Sequence, residues 1–385
     1  MPDGGEPRSI EIAESLGAVD RAQWDACAGP ENPFCSHDFL SALEESGSVR
    51  PDTGWLPQHL LLKGADGRLE AVAICYLKGH SMGEYVFDYG WANAYERAGG
   101  RYYPKLLSAI PFTPVTGPRL LTRAAPDPAA AADALAQGMV ELTERLGVSS
   151  LHANFLPADQ AARLAEHSFL IRTGRQYHWR NDGYASFDAF LDALSSRKRK
   201  AIRKERRQIA EAGIEIETLT GDALKPSHWD VFYRFYVDTY DRKWGAPYLT
   251  RGFFELLQDR MRDRTVLMLA HADGRPIAGA LNLLGTEALF GRNWGCAGDY
   301  KFLHFELCYY RAIDFAIERG LARVEAGTQG EHKIQRGYLP VETRSAHWLP
   351  NPSFRDAVAR FLDAERSEEA RIQDLLNEQS PFRKV

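Results

Sequence analysis

Four stretches of the sequence hold side chains able to do chemistry. His304 and Glu306 stand two residues apart beside an apolar run, Glu325 precedes Ala326-Gly327, and Gly330-Glu331-His332-Lys333 leads into Arg336-Gly337-Tyr338. Histidine, glutamate and lysine are groups that proteins use to take up and release protons. At a spacing of two, His304 and Glu306 cannot share one helix face, so a regular helix brings only one of them to a cleft. Each acid has a structural alternative: Glu306 as a buried ion-pair partner, Glu325 as a strand-end charge. Tyr309 and Tyr310 add hydroxyls, although aromatics on such a helix are packing residues first. Glu331-His332 does not begin an HExxH zinc site, because the second histidine is absent. The fourth stretch, Arg197 to Arg207, has eight basic residues in eleven, Arg199, Arg203 and Lys204 among them. Leu191, Leu194, Ile202 and Ile209 give it a narrow apolar seam, so it reads as a helix docked on one side, with phosphate as the natural partner of the other.

The rest of the composition narrows the choices. The 385 residues are 44% apolar and 26% charged, which is ordinary globular protein, and the length suits two or three domains. A net charge of -5 creates no global attraction for nucleic acid or anionic membrane, so any such contact must be a local patch. The cysteines are Cys27, Cys35, Cys75, Cys296 and Cys308, with no CxxC spacing, which argues against disulfides or structural zinc and suits a reducing cytoplasm. No secretory leader pattern and no run of 18 apolar residues is visible, so a cytoplasmic chain without a membrane span is expected. Neither a GxxxxGK[ST] phosphate loop nor a GxSxG elbow occurs.

An internal repeat supplies the elements that must position these residues. Ala65-Asp66-Gly67-Arg68 recurs as Ala272-Asp273-Gly274-Arg275, each between two short apolar runs. Asp-Gly between apolar strands is a hairpin signal. The pattern predicts a third strand at Glu84–Trp91 in the first copy and Glu287–Trp294 in the second. Helices follow at Arg101–Ile110 and Phe302–Arg319, then strands at Pro118–Leu121 and Arg323–Ala326. Flanking helices are expected after Ser36, Ser186, Ser227 and Thr250, over Ala129–Leu146 and over Ser353–Leu376, with strands at Leu151–Phe155 and Ile171–Trp179. A polar turn at Asn181-Asp182-Gly183 sets the boundary, giving domains 1–183 and 184–385.

Helices, an antiparallel meander, then a helix and a strand, present twice, resemble tandem GNAT acyltransferase domains: α/β units, each with a mostly antiparallel mixed sheet flanked by helices. The chain resembles a group of bacterial predicted N-acyltransferases in the GNAT superfamily, related to the Fem-type peptidyltransferases. The resemblance rests on Asn32 to Val49, Phe87 to Leu120 and Ser149 to Leu156 in the first half. In the second it rests on Ser195 to Gly213, His304 to Tyr310 and Glu325 to Pro340.

The resemblance implies direct attack of an amine on an acyl donor. A base must take the ammonium proton, a strand N–H often polarises the carbonyl, and the leaving group needs a proton. Glu306 is the first candidate base, with His304, Glu325 and His332 as alternatives. GNAT enzymes often cradle coenzyme A on an Arg/Gln-x-x-Gly-x-Gly/Ala loop at a helix N-terminus. Arg292-Asn293-Trp294-Gly295-Cys296-Ala297 fits that pattern, with the helix starting near Lys301 and with Lys333 as a further phosphate contact. Asp88, Trp91 and Asn93, with Tyr102, Tyr103 and Lys105, would line an acceptor site in the first domain. Three readings follow. The first is an N-acyltransferase moving an acyl group from acyl-CoA to a small-molecule or peptide amine, without a metal. The second is a Fem-type transferase using aminoacyl-tRNA, since Fem-type proteins carry a similar basic helix. The third is a non-catalytic nucleic-acid or membrane-surface binder. A homodimer is compatible with all three.

Overall fold

The computed structural model describes residues 9–242, 245–327 and 330–383. The chain forms two compact units. One comprises the residues up to Gly174 with Thr343–Glu369, the other Arg175–Glu342 with the residues from Ala370 onward. Each unit thus draws on two segments, whereas the sequence reading drew one boundary at residue 183.

The first unit begins with strand β1 (Ser9–Ala13) and helices α1 (Arg21–Ala28) and α2 (His37–Glu45), the latter capped by Ser36 as expected. Strands β2 (Trp55–Pro57), β3 (His59–Lys63), β4 (Leu69–Ala73) and β5 (Tyr76–Lys78) follow, with the Asp66-Gly67 turn joining β3 to β4. Helix α3 (Tyr89–Arg97), strands β6 (Lys105–Ser108) and β7 (Leu120–Leu121), helix α4 (Pro128–Leu146), strand β8 (Leu151–Leu156) and helix α5 (Ala158–Glu166) complete this run. β6 and β7 both pair antiparallel with the continuous β4–β5 run, at residues 76–78 and 72–73 respectively. Residues 109–119 separate them, and the two strands fall in different sheets, β7 beside β4 and β6 beside β5. β6 then runs parallel to β8. Aliphatic residues of β3, β4, β6 and β8, with Leu135, Ala136 and Met139 of α4, make the core.

Two expectations fail here. The proposed third strand at Glu84–Trp91 is irregular chain followed by α3, and the proposed helix at Arg101–Ile110 contains strand β6. Pro104 lacks the N–H that a helix interior needs. Glu84 and Asp88 are drawn inward by a lysine on β6 rather than placed on a strand face. The Trp91–Trp294 equivalence therefore falls, while the hairpin equivalence stands.

The second unit starts in strand β9 (Leu170–Arg180), through which the chain passes from one unit to the other. Helices α6 (Phe187–Ala193) and α7 (Ser196–Glu211), strand β10 (Glu215–Thr220), and helices α8 (Pro226–Asp241) and α9 (Arg251–Met261) follow. Ser186 and Thr250 cap as expected; α8 instead starts at Pro226, ahead of Ser227, because proline suits a first helical position. The meander is β11 (Thr265–Ala272), β12 (Arg275–Leu284) and β13 (Ala288–Cys296). A helical run covers α10 (Leu303–Phe305), a π turn at Glu306–Tyr310 and α11 (Arg311–Glu318), and leads to strand β14 (Arg323–Glu325). β14 runs parallel to β13 and antiparallel to β9. Strand β15 (Leu339–Trp348) and helix α12 (Pro352–Glu378) follow, and Phe382 beyond them bridges to Leu194. The core joins Trp179, Phe190, Met268, Leu289, Leu307 and Val324. Among the described residues no helix is long and apolar enough to cross a membrane, and no side-chain cluster could hold a metal ion.

Candidate active site

In the second unit β13 and β14 begin side by side and then part. Their pairing covers Ala288–Arg323, Leu289–Val324 and Phe290–Glu325, and stops there. Beyond it β13 continues along β12 alone, whereas Ala326 stays with β9 through a bond to the Tyr177 carbonyl. A bulge lies at the parting point: Asn282 opposes Gly291 and Leu281 opposes Asn293, so Arg292 is the extra residue. Bulges re-aim local backbone groups and are common beside active sites.

Side chains approach this opening from both faces of the sheet. Alternation puts Leu289 and Val324 in the core, so Phe290 and Glu325 face the other way. Glu325 is 3% exposed and accepts from Arg323 Nε at 2.9 Å; its Oε2 makes no hydrogen bond and lies 3.7 Å from His178 Nε2. Burial raises the Glu325 pKa against the pull of Arg323. Burial, and then the cations Arg323, Arg180 and Lys333, push the His178 imidazole down to about 3, so it stands neutral beside that carboxylate. Sequence reasoning missed His178, because only the β9–β14 register brings it to Glu325.

The helical run supplies the other bank. Tyr309 Oη lies 3.0 Å from His332 Nε2, and the His304 ring packs on Trp294 and Tyr309 at centroid distances of 5.2 and 5.3 Å. The π turn includes Tyr309; such turns recur at functional sites. Burial, then Arg336 and Lys333, lower the His332 pKa, keeping the ring neutral. The Lys333 ammonium donates to the Ala326 and Gly327 carbonyls at 2.6 and 3.2 Å, fixing the chain just past β14, and burial brings its pKa down to about 8. Lys333 is thus committed to backbone, not to an open phosphate site.

Glu306 points elsewhere. It is 3% exposed and clamped by Arg206 at 3.2 Å and Arg311 at 3.0 Å, with Asp314 on the same Arg206 guanidinium. The structural alternative for this acid describes what is seen: it joins the helical run to α7. His304 is the member of that pair that faces Trp294. Arg336 stacks on Phe305, donates to the His332 carbonyl and forms a two-bonded pair with Glu205, the lone acid in the Arg197–Arg207 run. Several basic residues of α7 are already neutralised: Arg199 by Asp192, Arg203 by Asp188, and Arg207 by Glu211. Arg197, Lys198, Lys200 and Lys204 make no ion pair among the described residues and leave a smaller cationic face than the composition suggests.

The Arg292–Ala297 match lies on a different element from the one expected. Residues 292–296 belong to β13, and the helix starts seven residues later at Leu303, after exposed Ala297 and Lys301. A Cβ on Gly295 would lie 2.4 Å from the Phe235 carbonyl carbon and oxygen, so this glycine lets α8 pack against the strand. Close packing, rather than a phosphate cradle, explains it.

The first unit gathers its candidates around a buried ion cluster. Lys105 is fully buried and bonds to Asp88, to Glu84 at 2.8 Å and to Ser81 at 2.9 Å. Tyr102 Oη donates to Asp88 at 2.6 Å and touches His152, whose Nδ1 lies 2.6 Å from His347 Nδ1. Burial lifts Glu84 to about 7 and drops Lys78 to about 7; burial would also raise Asp88, but Lys105 and His152 hold it well below the carboxylate range. Trp91 packs edge-on against His347, Tyr103 bonds to Ser81, and Asn93 stands exposed on α3. Every ammonium proton of Lys105 is thus taken within the cluster.

This architecture is shared with solved proteins. The chain resembles FemX, with 12% identity, 91% of this chain and 100% of that one covered, and a TM-score of 0.56. It also resembles L-PGS from Bacillus licheniformis, with 9% identity, coverages of 87% and 98%, and a TM-score of 0.52. At these identities the likeness establishes the fold. No curated protein matches the chain. The FemAB-like profile, described as peptidoglycan biosynthesis/recognition, matches residues 15–384. With nearly the whole sequence inside that match, the chain belongs to the FemAB-like family and is an acyl- or aminoacyl-transferring enzyme.

Proposed function

We propose that this protein moves an aminoacyl group from aminoacyl-tRNA to a peptide amine of the kind found in peptidoglycan precursors. The observation that carries the reading is the FemAB-like match over residues 15–384. The unpaired cations of α7 supply a second support, since tRNA is a polyanion. Transfer from acyl-CoA keeps the parted strands in its favour, but it loses the Arg292–Ala297 loop on which it leaned.

The chemistry is assigned to the second unit. Glu325 takes the proton of the acceptor ammonium. The free amine attacks the ester carbonyl beside the Arg292 bulge, so a C–N bond forms and the C–O bond to the ribose breaks. The departing ribose oxygen takes a proton from the Tyr309–His332 pair. The test is transfer of radiolabelled amino acids from a charged total-tRNA pool to a peptidoglycan-precursor peptide with a free amine. Label should reach the peptide, with at least a hundredfold loss in Glu325→Gln, the usual scale for removing a general base. No transfer from any aminoacyl-tRNA, together with acylation of the same peptide by acetyl-CoA, would replace this reading with the acyl-CoA one.

A further inference from the structure

Arg336 stands behind the Tyr309–His332 pair. It shares a short 3-10 turn, Glu331–Arg336, with His332, and its Nη1 donates to the His332 carbonyl at 2.9 Å. Its guanidinium lies 3.4 Å from the centre of the Phe305 ring. That ring in turn stacks on Tyr309 at a centroid distance of 6.0 Å and packs on His332 at 5.7 Å. The other arm of the guanidinium, Nη2, reaches both oxygens of Glu205 at 3.0 and 3.1 Å. Glu205, on α7, also accepts from the Tyr310 hydroxyl. Arg336 is buried, whereas His332 is exposed.

These contacts meet a need of the chemistry. A proton donor works only from the right distance and angle, and a displacement of about 1 Å can cost on the order of a hundredfold in rate. Tyr309 is set in the helical run, but His332 sits at the surface on a short turn. Arg336 fixes that turn against both the Phe305 ring and α7. Arginine suits the task, because its planar fork serves two acceptors at once in fixed directions, which a lysine ammonium on a flexible stem does not. Burial pushes the Tyr309 phenol up and the His332 imidazole down, and the Arg336 charge pulls both down, so it acts on each member of the pair. An acid on a helix that meets a polyanion weakens the attraction, yet Glu205 is turned onto Arg336.

We propose that Arg336 is a positioning residue for proton delivery to the departing ribose oxygen, and that Glu205 holds it in place. The proposal rests on the role given above to the Tyr309–His332 pair and on aminoacyl-tRNA as the donor.

The test is steady-state transfer from aminoacyl-tRNA by the full chain carrying Glu205→Gln or Arg336→Lys, with circular dichroism at the assay temperature to check the fold. Glu205→Gln removes a negative charge from α7, so charge alone predicts equal or tighter tRNA binding and an unchanged kcat. Positioning predicts that kcat falls about tenfold to a hundredfold in both variants, with KM for the peptide little changed. The double variant should lose no more than Arg336→Lys alone, because the two residues act as one unit. A second readout needs no activity. The imidazole nitrogen signals of His332, assigned by their loss in His332→Gln, should move in Glu205→Gln in the direction seen in Tyr309→Phe. A wild-type chain that transfers no aminoacyl group would overturn the donor reading and leave these signals to decide on positioning. Wild-type kcat in both variants, a loss confined to KM for tRNA, or His332 signals unmoved by Glu205→Gln would overturn the proposal.

Discussion

Replacing Lys105 with methionine removes the only cation among the described residues that bonds to both Asp88 and Glu84, and keeps the length of the side chain. Both acids are 3% exposed, and one oxygen of each already lacks a hydrogen-bond partner. Breaking a buried ion pair from one side typically costs about 3–5 kcal/mol, because the remaining charge cannot recover its hydration. The pH dependence follows from Glu84. Its pKa in the fold is about 7, against about 4.3 for a free glutamate. A carboxyl raised in this way contributes stability that is fully present below about pH 4 and lost as pH rises through 7. That difference is roughly 3–4 kcal/mol, at 1.36 kcal/mol per pKa unit. Without Lys105 the Glu84 pKa rises further, so the variant should be most destabilised near pH 8 and move toward the wild type at pH 5. Urea unfolding followed by circular dichroism at both pH values measures this. A loss below about 1 kcal/mol at pH 8, or a loss that grows toward pH 5, would refute the reasoning. Adding Glu84→Gln and Asp88→Asn to the methionine variant should restore much of the stability, because a cluster without charge has nothing left to desolvate.

The other expectations concern the second unit. Because burial raises the Glu325 pKa, the acid limb of the kcat/KM profile for transfer should lie above the ordinary glutamate range; a limb at or below about 4.3 would remove Glu325 from the role of base. Glu306→Gln should leave turnover nearly intact and cost about 1–3 kcal/mol in thermal unfolding, since Arg206 and Arg311 lose a buried charged acceptor. Loss of activity at unchanged stability would return Glu306 to the catalytic list. Gly295→Ala forces a methyl against the Phe235 backbone and should cost about 1–3 kcal/mol; an unchanged melting temperature would contradict the packing role. Lys200→Ala and Lys204→Ala should each flatten the salt dependence of tRNA binding by about one unit of slope, measured by fluorescence anisotropy across a salt series.

What the sequence determined alone was local. The hairpins at Asp66-Gly67 and Asp273-Gly274 are written in turn chemistry, and the helices after Ser36, Ser186 and Thr250 in capping and apolar spacing, so both were readable from neighbouring residues. The repeat of these signals made the tandem fold legible. The third strand of the first unit was not, because Glu84–Trp91 has strand-like residues, yet the ladder position beside β5 is taken by Lys105–Ser108, more than 20 residues away in sequence. Tertiary structure alone decided how each acid is partnered. Glu325 and Glu306 look equivalent in sequence and each keeps one buried oxygen without a hydrogen bond, yet the β13–β14 parting sets Glu325 beside the neutral His178 with Arg323 as its one cationic partner among the described residues, while α7 and the helical run clamp Glu306 between Arg206 and Arg311. The same holds for Gly295, whose pattern suggested phosphate and whose neighbour is the backbone of α8. A one-dimensional pattern records which groups are present. Whether a charge is paired or available depends on contacts between residues far apart in the chain, and those contacts exist only once the sheet and its helices have assembled.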